Sequence, residues 1–171
     1  PVDAESVNMI VNMGRGKVAQ GLFPESFPYY HEVYEGGHLP FDPAKAKQLL
    51  ADAGIPEGTL TLKFITLAAN ANIATIIQES MRQAGVNVEI EIEEQSVYVQ
   101  DARSGNYDLQ VISSSLGTVQ PNCFNQVGPS QIGKSVGHCR ITDPLMEELV
   151  ERASSSDPET QKQGFSDIID Y

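Results

Sequence analysis

The stretch Thr59–Ser115, TLTLKFITLAANANIATIIQESMRQAGVNVEIEIEEQSVYVQDARSGNYDLQVISSS, decides the fold. Its first eight residues, Thr59–Thr66, put Leu60, Leu62 and Phe64 on one face, the two-residue period of a strand. From Ala71 to Ala84 the period lengthens. Ile73, Ile76, Ile77, Met81 and Ala84 recur at helical spacing, and Gly85 is placed to stop the helix. Val86–Glu93 alternates again, Val86, Val88, Ile90 and Ile92 against Asn87, Glu89, Glu91 and Glu93. Ser96–Ser104 reads as a short helix closed by Gly105, and Tyr107–Ser113 as a third strand. Strands separated by single helices pair in parallel through right-handed crossovers. The expected fold is therefore α/β, a mostly parallel βαβαβ sheet flanked by helices. With the first strand central, the order is 2-1-3. The exits after Thr66 and after Ser113 then line one crevice at the carboxyl edge, where such sheets bind ligands.

Working outward, Asp3 is placed to cap a first helix with Val7, Ile10 and Val11 on its apolar face and Gly14 and Gly16 at its end. Lys17–Pro40 is a long loop with three prolines, three tyrosines and two histidines. That length inside a domain points either to function or to wrapping over another part of the protein. His31 and His38 have no acidic partner at helical spacing, so a solvated loop is the better reading than a metal site. Asp42–Gly54 is a helix with Asp42 at the N-cap, Pro43 at the first turn and Ala46, Leu49, Leu50 and Ala53 as its buried stripe. After the third strand, Ser114–Ile141 shows little periodicity. Asp143-Pro144 starts a helix with Leu145, Leu149, Val150 and Ala153 on one face, and Asp157-Pro158 starts a last one carrying Phe165, Ile168 and Ile169. The organisation expected is a helix and long loop over 1–40, a helix plus the βαβαβ core over 41–115, a loop over 116–141 and terminal helices over 142–171.

The chain has 171 residues, enough for one domain with a core. A net charge of −12 disfavours nucleic acid and anionic membrane surfaces, which need clustered Lys and Arg. No apolar run approaches the roughly 20 residues of a membrane span, so no membrane insertion is expected. PVDAES opens straight into a helix and Ser166–Tyr171 stops inside one. Both ends read as cut, and a fragment of a longer protein is expected.

Read together, these segments resemble the second lobe of the extracellular solute-binding proteins of ABC transporters, in the class that carries oligopeptides, dipeptides, nickel chelates and opines. Phe41–Gly54 (FDPAKAKQLLADAG) is similar to that family's "DPxKAKxLLxEAG" helix. Gln83–Glu89 is similar to its "GIxVE" turn, and Tyr98 with Gly105-Asn106-Tyr107-Asp108 to its "Y…GDYD" pattern. Thr142-Asp143-Pro144 and Ser156-Asp157-Pro158-Glu159 resemble its final helix starts. The resemblance implies one lobe of a type II periplasmic-binding-protein clamp, a monomer without cofactor that takes a small-molecule or peptide ligand between two lobes. It also implies ABC permease subunits as partners and a periplasmic or extracellular location. In that oxidising setting Cys123 and Cys139 are expected to form a disulfide, closing a loop of about 15 residues worth roughly 3 kcal/mol in the chain-entropy model. Two separate thiols are the alternative.

The ligand candidates are Ser114, Ser115, Leu116, Thr118, Gln120 and Asn122 beyond the third strand, with Asn70 and Asn72 beyond the first, and Tyr98. Asn70 and Asn72 also suit capping of the following helix, and Tyr98 also suits a core position with its hydroxyl at the rim. Peptide-binding relatives often carry "W-x-x-D-x-x-D-P" after the third strand, with an aspartate on the peptide's amino group. Here Ser113–Asn122 has no carboxylate, and Gln95 stands where relatives often have tryptophan. A buried ammonium would lack its partner, so a neutral polar ligand fits better. An enzyme is not expected. The chain has no GxSxG, GxGxxG, P-loop or HExxH motif. Ser113–Ser115, His138 and Asp143 make a triad only as an inventory, and a small hydrolase-like domain stays the rival reading. A flavodoxin-like regulatory domain would need an acidic cluster after the first strand, where Thr66–Asn70 reads TLAAN.

Overall fold

The structure, a computed structural model, describes residues 2–19, 23, 25–27, 29–33, 40–112, 124, 126–137 and 139–171. The chain forms two compact units. One comprises Pro1–Val18, Pro40–Asp101 and Gly105–Ser113, the other Ala19–Leu39, Ala102–Ser104 and Ser114–Tyr171.

The first unit contains α1 (Ala4–Asn12), α2 (Pro43–Asp52), β1 (Thr61–Leu67), α3 (Ala71–Gln83), β2 (Asn87–Glu93), most of α4 (Gln95–Ser104) and β3 (Leu109–Gln110). The strands pair in parallel, as the alternation of periods predicts, and β1 is central, which gives the order β2-β1-β3. Phe64, Ile65 and Thr66 in the middle of β1 are all buried, so the central strand is covered on both faces rather than on one. Phe64, Ala74 and Val88 form the core, with Leu62, Ile77, Met81, Ile90, Leu109 and Val111 packed around them. Gln78 Nε2 donates to the Val88 carbonyl at 2.7 Å and ties α3 to β2. Gly85, at φ 83, makes the turn between them.

Four expectations for this unit are corrected. The third strand is two residues long, not seven. Asp108 takes the Lys63 N–H on its side chain at 2.7 Å, and the Val111 carbonyl takes the Tyr98 hydroxyl at 3.1 Å, so groups at either end of the ladder are engaged elsewhere. The apolar face assigned to α1 is not a buried one. Ile10 is 64% exposed and no residue of α1 is buried. The stripe of α2 is likewise shallow, with Leu49 56% exposed, because the helix lies on the surface of the unit. Ile92, expected on the inner face of β2, is exposed near the strand's carboxyl end.

The second unit holds α5 (Pro144–Ala153) and α6 (Pro158–Asp170). Phe23, Phe27, Val127, Met146, Leu149, Ala153, Phe165 and Ile168 make its core. Met146, not Leu145, is the buried residue of the first turn of α5. Within the described part of the long N-terminal loop, Phe23 and Phe27 are core residues while Glu25, Ser26, Glu32 and Val33 are exposed. Phe23 stacks on Phe27 at 4.7 Å, and both meet Phe165 edge-on. His31 does find an acid, Asp170, with Nε2 2.7 Å from its carboxylate. That partner is supplied by tertiary packing and is invisible at local spacing.

The expected Cys123–Cys139 disulfide is not formed. Cys139 is a free thiol, while Cys123 lies outside the described residues. The backbone around Cys139 is held instead by its N–H, which donates to the Gln126 carbonyl at 2.7 Å, so the loop closes on a hydrogen bond.

The helix starts follow the sequence closely. Asp3, Asp42, Asp143 and Asp157 accept from the backbone N–H groups of Ser6, Lys45, Leu145 and Thr160 at 2.8–2.9 Å. The Ser6 hydroxyl, the Tyr171 hydroxyl and the Thr160 hydroxyl hold the carboxyls of Asp3, Asp143 and Asp157 below the ordinary aspartate value. A depressed folded pKa makes the cap's contribution present above the unfolded value, 3.8, and lost as pH falls through the folded one. The N-terminal turns of α1, α5 and α6 are therefore expected to fray first below about pH 4. Residue-resolved amide exchange reads this directly, and uniform exchange along each helix would contradict it.

Candidate functional site

The crevice predicted at the carboxyl edge of the sheet is described on its β1 side. β1 ends at Leu67 and runs through a single 3₁₀ turn, Ala68–Asn70, into α3. Asn70 occupies the N-cap position of α3, but its side chain makes no capping bond. Asn72 is exposed on the first turn of the same helix. Both amides therefore stand at the exit of the central strand. Ser114, Ser115, Leu116, Thr118, Gln120 and Asn122 lie outside the described residues.

Tyr98 takes a supporting place. It is 3% exposed, and its hydroxyl lies 3.1 Å from both Gln110 Oε1 and the Val111 carbonyl. Gln110 Nε2 in turn donates to the Tyr107 hydroxyl at 3.0 Å. Desolvation raises the Tyr98 pKa, so the phenol stays a neutral donor. This network fixes the last residues of β3, from which the serine-rich loop departs.

Asp108 reaches the start of β3 in the same way. Its carboxylate accepts from Lys63 N–H, and its own N–H donates to the Lys63 carbonyl at 3.0 Å. The last residue of the GNYD turn thus sets the register of the strand that carries the loop. Ile92 near the end of β2, Val97 in the first turn of α4 and Ile112 after β3 are 59%, 47% and 39% exposed, apolar residues that the polar reading of the loop did not include. A second omission is the charge cluster of Lys63, Glu91, Glu93 and Asp101. Its sequence signal is a lysine on the face of β1 opposite Leu62 and Phe64, beside three alternate glutamates of β2. Among the described residues no group of three or more His, Cys, Asp or Glu side chains is arranged to hold a metal ion.

The parallel sheet in the order β2-β1-β3 is an open α/β arrangement, the class in which ligands bind outside the carboxyl ends of the strands. The family described as "Bacterial extracellular solute-binding proteins, family 5 Middle" matches residues 2–128, and the chain belongs to that family. Di/tripeptide-binding protein 1 of Pseudomonas aeruginosa is 29% identical over 120 residues, covering 67% of this chain and 22% of its own length. The nickel-binding periplasmic protein of Escherichia coli is 29% identical over 173 residues, covering 91% of this chain and 33% of its own. The chain thus spans a third or less of these relatives. The periplasmic binding protein DppA of Helicobacter pylori, solved with the peptide STSA, superposes with a TM-score of 0.82 at 20% identity, over 97% of this chain and 33% of that one. Its likeness establishes the fold, one part of a type II binding protein. Among the described residues no helix is long and apolar enough to cross a membrane.

Proposed function

We propose that this chain is part of the substrate-binding component of an ABC importer, a partial C-terminal-side lobe that helps capture a peptide-like or other small polar solute and deliver it to the membrane permease outside the cytoplasm. The family match across 2–128 carries the reading, and the parallel sheet with its order reversal at β1 supports it. The relatives it matches are binding proteins, and the lobe acts without catalysis. Ligand contact comes from Ser114, Ser115, Leu116, Thr118, Gln120 and Asn122, with Asn70 and Asn72 at the exit of β1. Tyr98 serves by holding the end of β3.

The chemistry of that loop favours a ligand whose amine is blocked. Its hydroxyls and amides donate and accept without net charge, and each neutral hydrogen bond contributes on the order of 0.5–1.5 kcal/mol. An ammonium placed there would lose its water without gaining a carboxylate. Calorimetry with dialanine and with N-acetyl-dialanine amide is the test, made on this sequence within a chain of its relatives' length. Tighter binding of the blocked peptide is expected, weakened several-fold by Asn122→Ala and unaffected by Glu89→Ala. If dialanine binds more tightly, or if only Glu89→Ala weakens binding, the site has been misplaced.

A further inference from the structure

The carboxyl end of β2 carries an arrangement that ligand capture does not use. The parallel register sets Lys63 against Glu89, Ile65 against Glu91 and Leu67 against Glu93, so Lys63 and the three glutamates share one face of the sheet. Side chains of α4 meet that face. Lys63 Nζ lies 3.1 Å from Glu91 Oε2 and 3.4 Å from Asp101 Oδ2. Asp101 Oδ2 also accepts from Asn106 Nδ2 at 2.7 Å. One ammonium therefore serves Glu91 and Asp101 together, and it is committed to them.

Glu93 is left over. Its Oε2 is buried with no hydrogen-bond partner among the described residues, on the face where Asp101 stands, and the Asp101 carboxylate acts to raise its pKa. Two ionised carboxylates facing each other repel and have no proton to share, whereas one that keeps its proton can donate to the other. The charged and titratable groups that face Glu93 are Lys63 from β1, Glu91 from β2, and Asp101 and Tyr98 from α4, with Tyr107 beyond Tyr98. Apart from the engaged Lys63, none of them brings a positive charge.

We propose that Glu93 keeps a proton, donated to Asp101, in a range where an ordinary glutamate is ionised, and that this acid–carboxylate pair is a latch that pins α4 to the end of β2 and lets go as pH rises. Burial, and then the Asp101 charge, push the Glu93 carboxyl above its ordinary value, with Lys63 opposing. For a raised folded pKa the stabilisation is complete below the unfolded value, 4.5, and is lost as pH rises through the folded one. The helix so released is the one that carries Tyr98, whose hydroxyl holds Gln110 and Val111. The direction is opposite to that of the aspartate caps, which fail on acidification, so the two effects separate on the pH axis.

The test compares the chain with its Glu93→Gln variant between pH 4.5 and pH 8. The amide of glutamine donates to Asp101 at every pH, so it mimics the latched state. Amide exchange across α4 is expected to quicken with pH in the parent beyond the intrinsic chemical increase, and not in the variant. The variant's Tm should exceed the parent's by about 2–4 °C at pH 8, with the difference vanishing at pH 4.5. Parallel pH curves for the two proteins overturn the latch. So that a folding failure of the variant does not decide the matter, the Glu93 carboxyl carbon of the parent is also titrated by NMR. A midpoint above 4.5 supports the latch, and a midpoint at or below that value rejects it.

Discussion

Phe165→Ala is expected to cost about 3–5 kcal/mol, much of the stability of a unit this small. The ring is fully buried at the centre of the second unit. It meets Phe23 and Phe27 edge-on at 5.7 and 5.0 Å, and stacks on Tyr29 and Phe124 at 5.5 and 5.6 Å. Aromatic pairs of these geometries contribute about 0.5–1.5 kcal/mol each beyond the area they bury. Four neighbours would be left facing one void, and three of them, Phe23, Phe27 and Tyr29, sit on the N-terminal loop. Denaturant unfolding followed by amide exchange resolves the two units. The loss should fall on α5, α6 and the Phe23–Tyr30 segment while the β-sheet keeps its protection. Phe165→Leu should cost much less. A change below about 1 kcal/mol for the alanine variant would mean that the ring does not organise this core.

Gly164→Ala is expected to destabilise by about 3 kcal/mol, against the sign that helix propensity assigns. In an exposed helix interior the same exchange would stabilise by up to about 1 kcal/mol. At Gly164 an added Cβ would lie 2.3 Å from the Ala153 nitrogen and 2.7 Å from both Ala153 Cα and the Arg152 carbonyl carbon. All three are backbone atoms of α5, and no rotamer change moves them. The two helices must separate, which also loosens the Arg152–Asp167 ion pair and the packing of Met146, Leu149 and Ala153. Lys162→Ala, two residues earlier on the exposed side of α6, serves as the propensity control. If Gly164→Ala stabilises as Lys162→Ala should, the close approach of α5 and α6 is wrong.

These two positions show how unevenly the chain declares itself. The βαβαβ stretch was legible because its information is local. A change of apolar period from two to about 3.6 and back, punctuated by Gly85 and Gly105, names the elements and their parallel pairing, while the order β2-β1-β3 rested on taking the first strand as central, as the structure has it. The four aspartate caps were legible for the same reason, since a cap bonds within three residues of itself. The polar loop Ser114–Asn122 was proposed from topology and composition, and the exit at Asn70 and Asn72 from topology alone.

What stayed hidden depends on residues far apart in the chain. Nothing near Phe23 or Phe27 says that Phe165 will meet them, and irregular spacing in a loop carries no period to read. Local pattern placed Leu145 in the core of α5, where packing against α6 chose Met146. The disulfide rested on the oxidising compartment that the resemblance implied, yet bridging requires two side chains to converge at a fixed distance, which compartment and loop length do not determine. Asp108 and Tyr98 shortened the third strand by hydrogen bonds that cross from turn and helix to sheet. Glu93 looked like one more solvated glutamate on an alternating strand. Only the tertiary structure placed its Oε2 out of solvent, on the face that Asp101 joins from α4, because a carboxyl's charge state is set by what surrounds it in space.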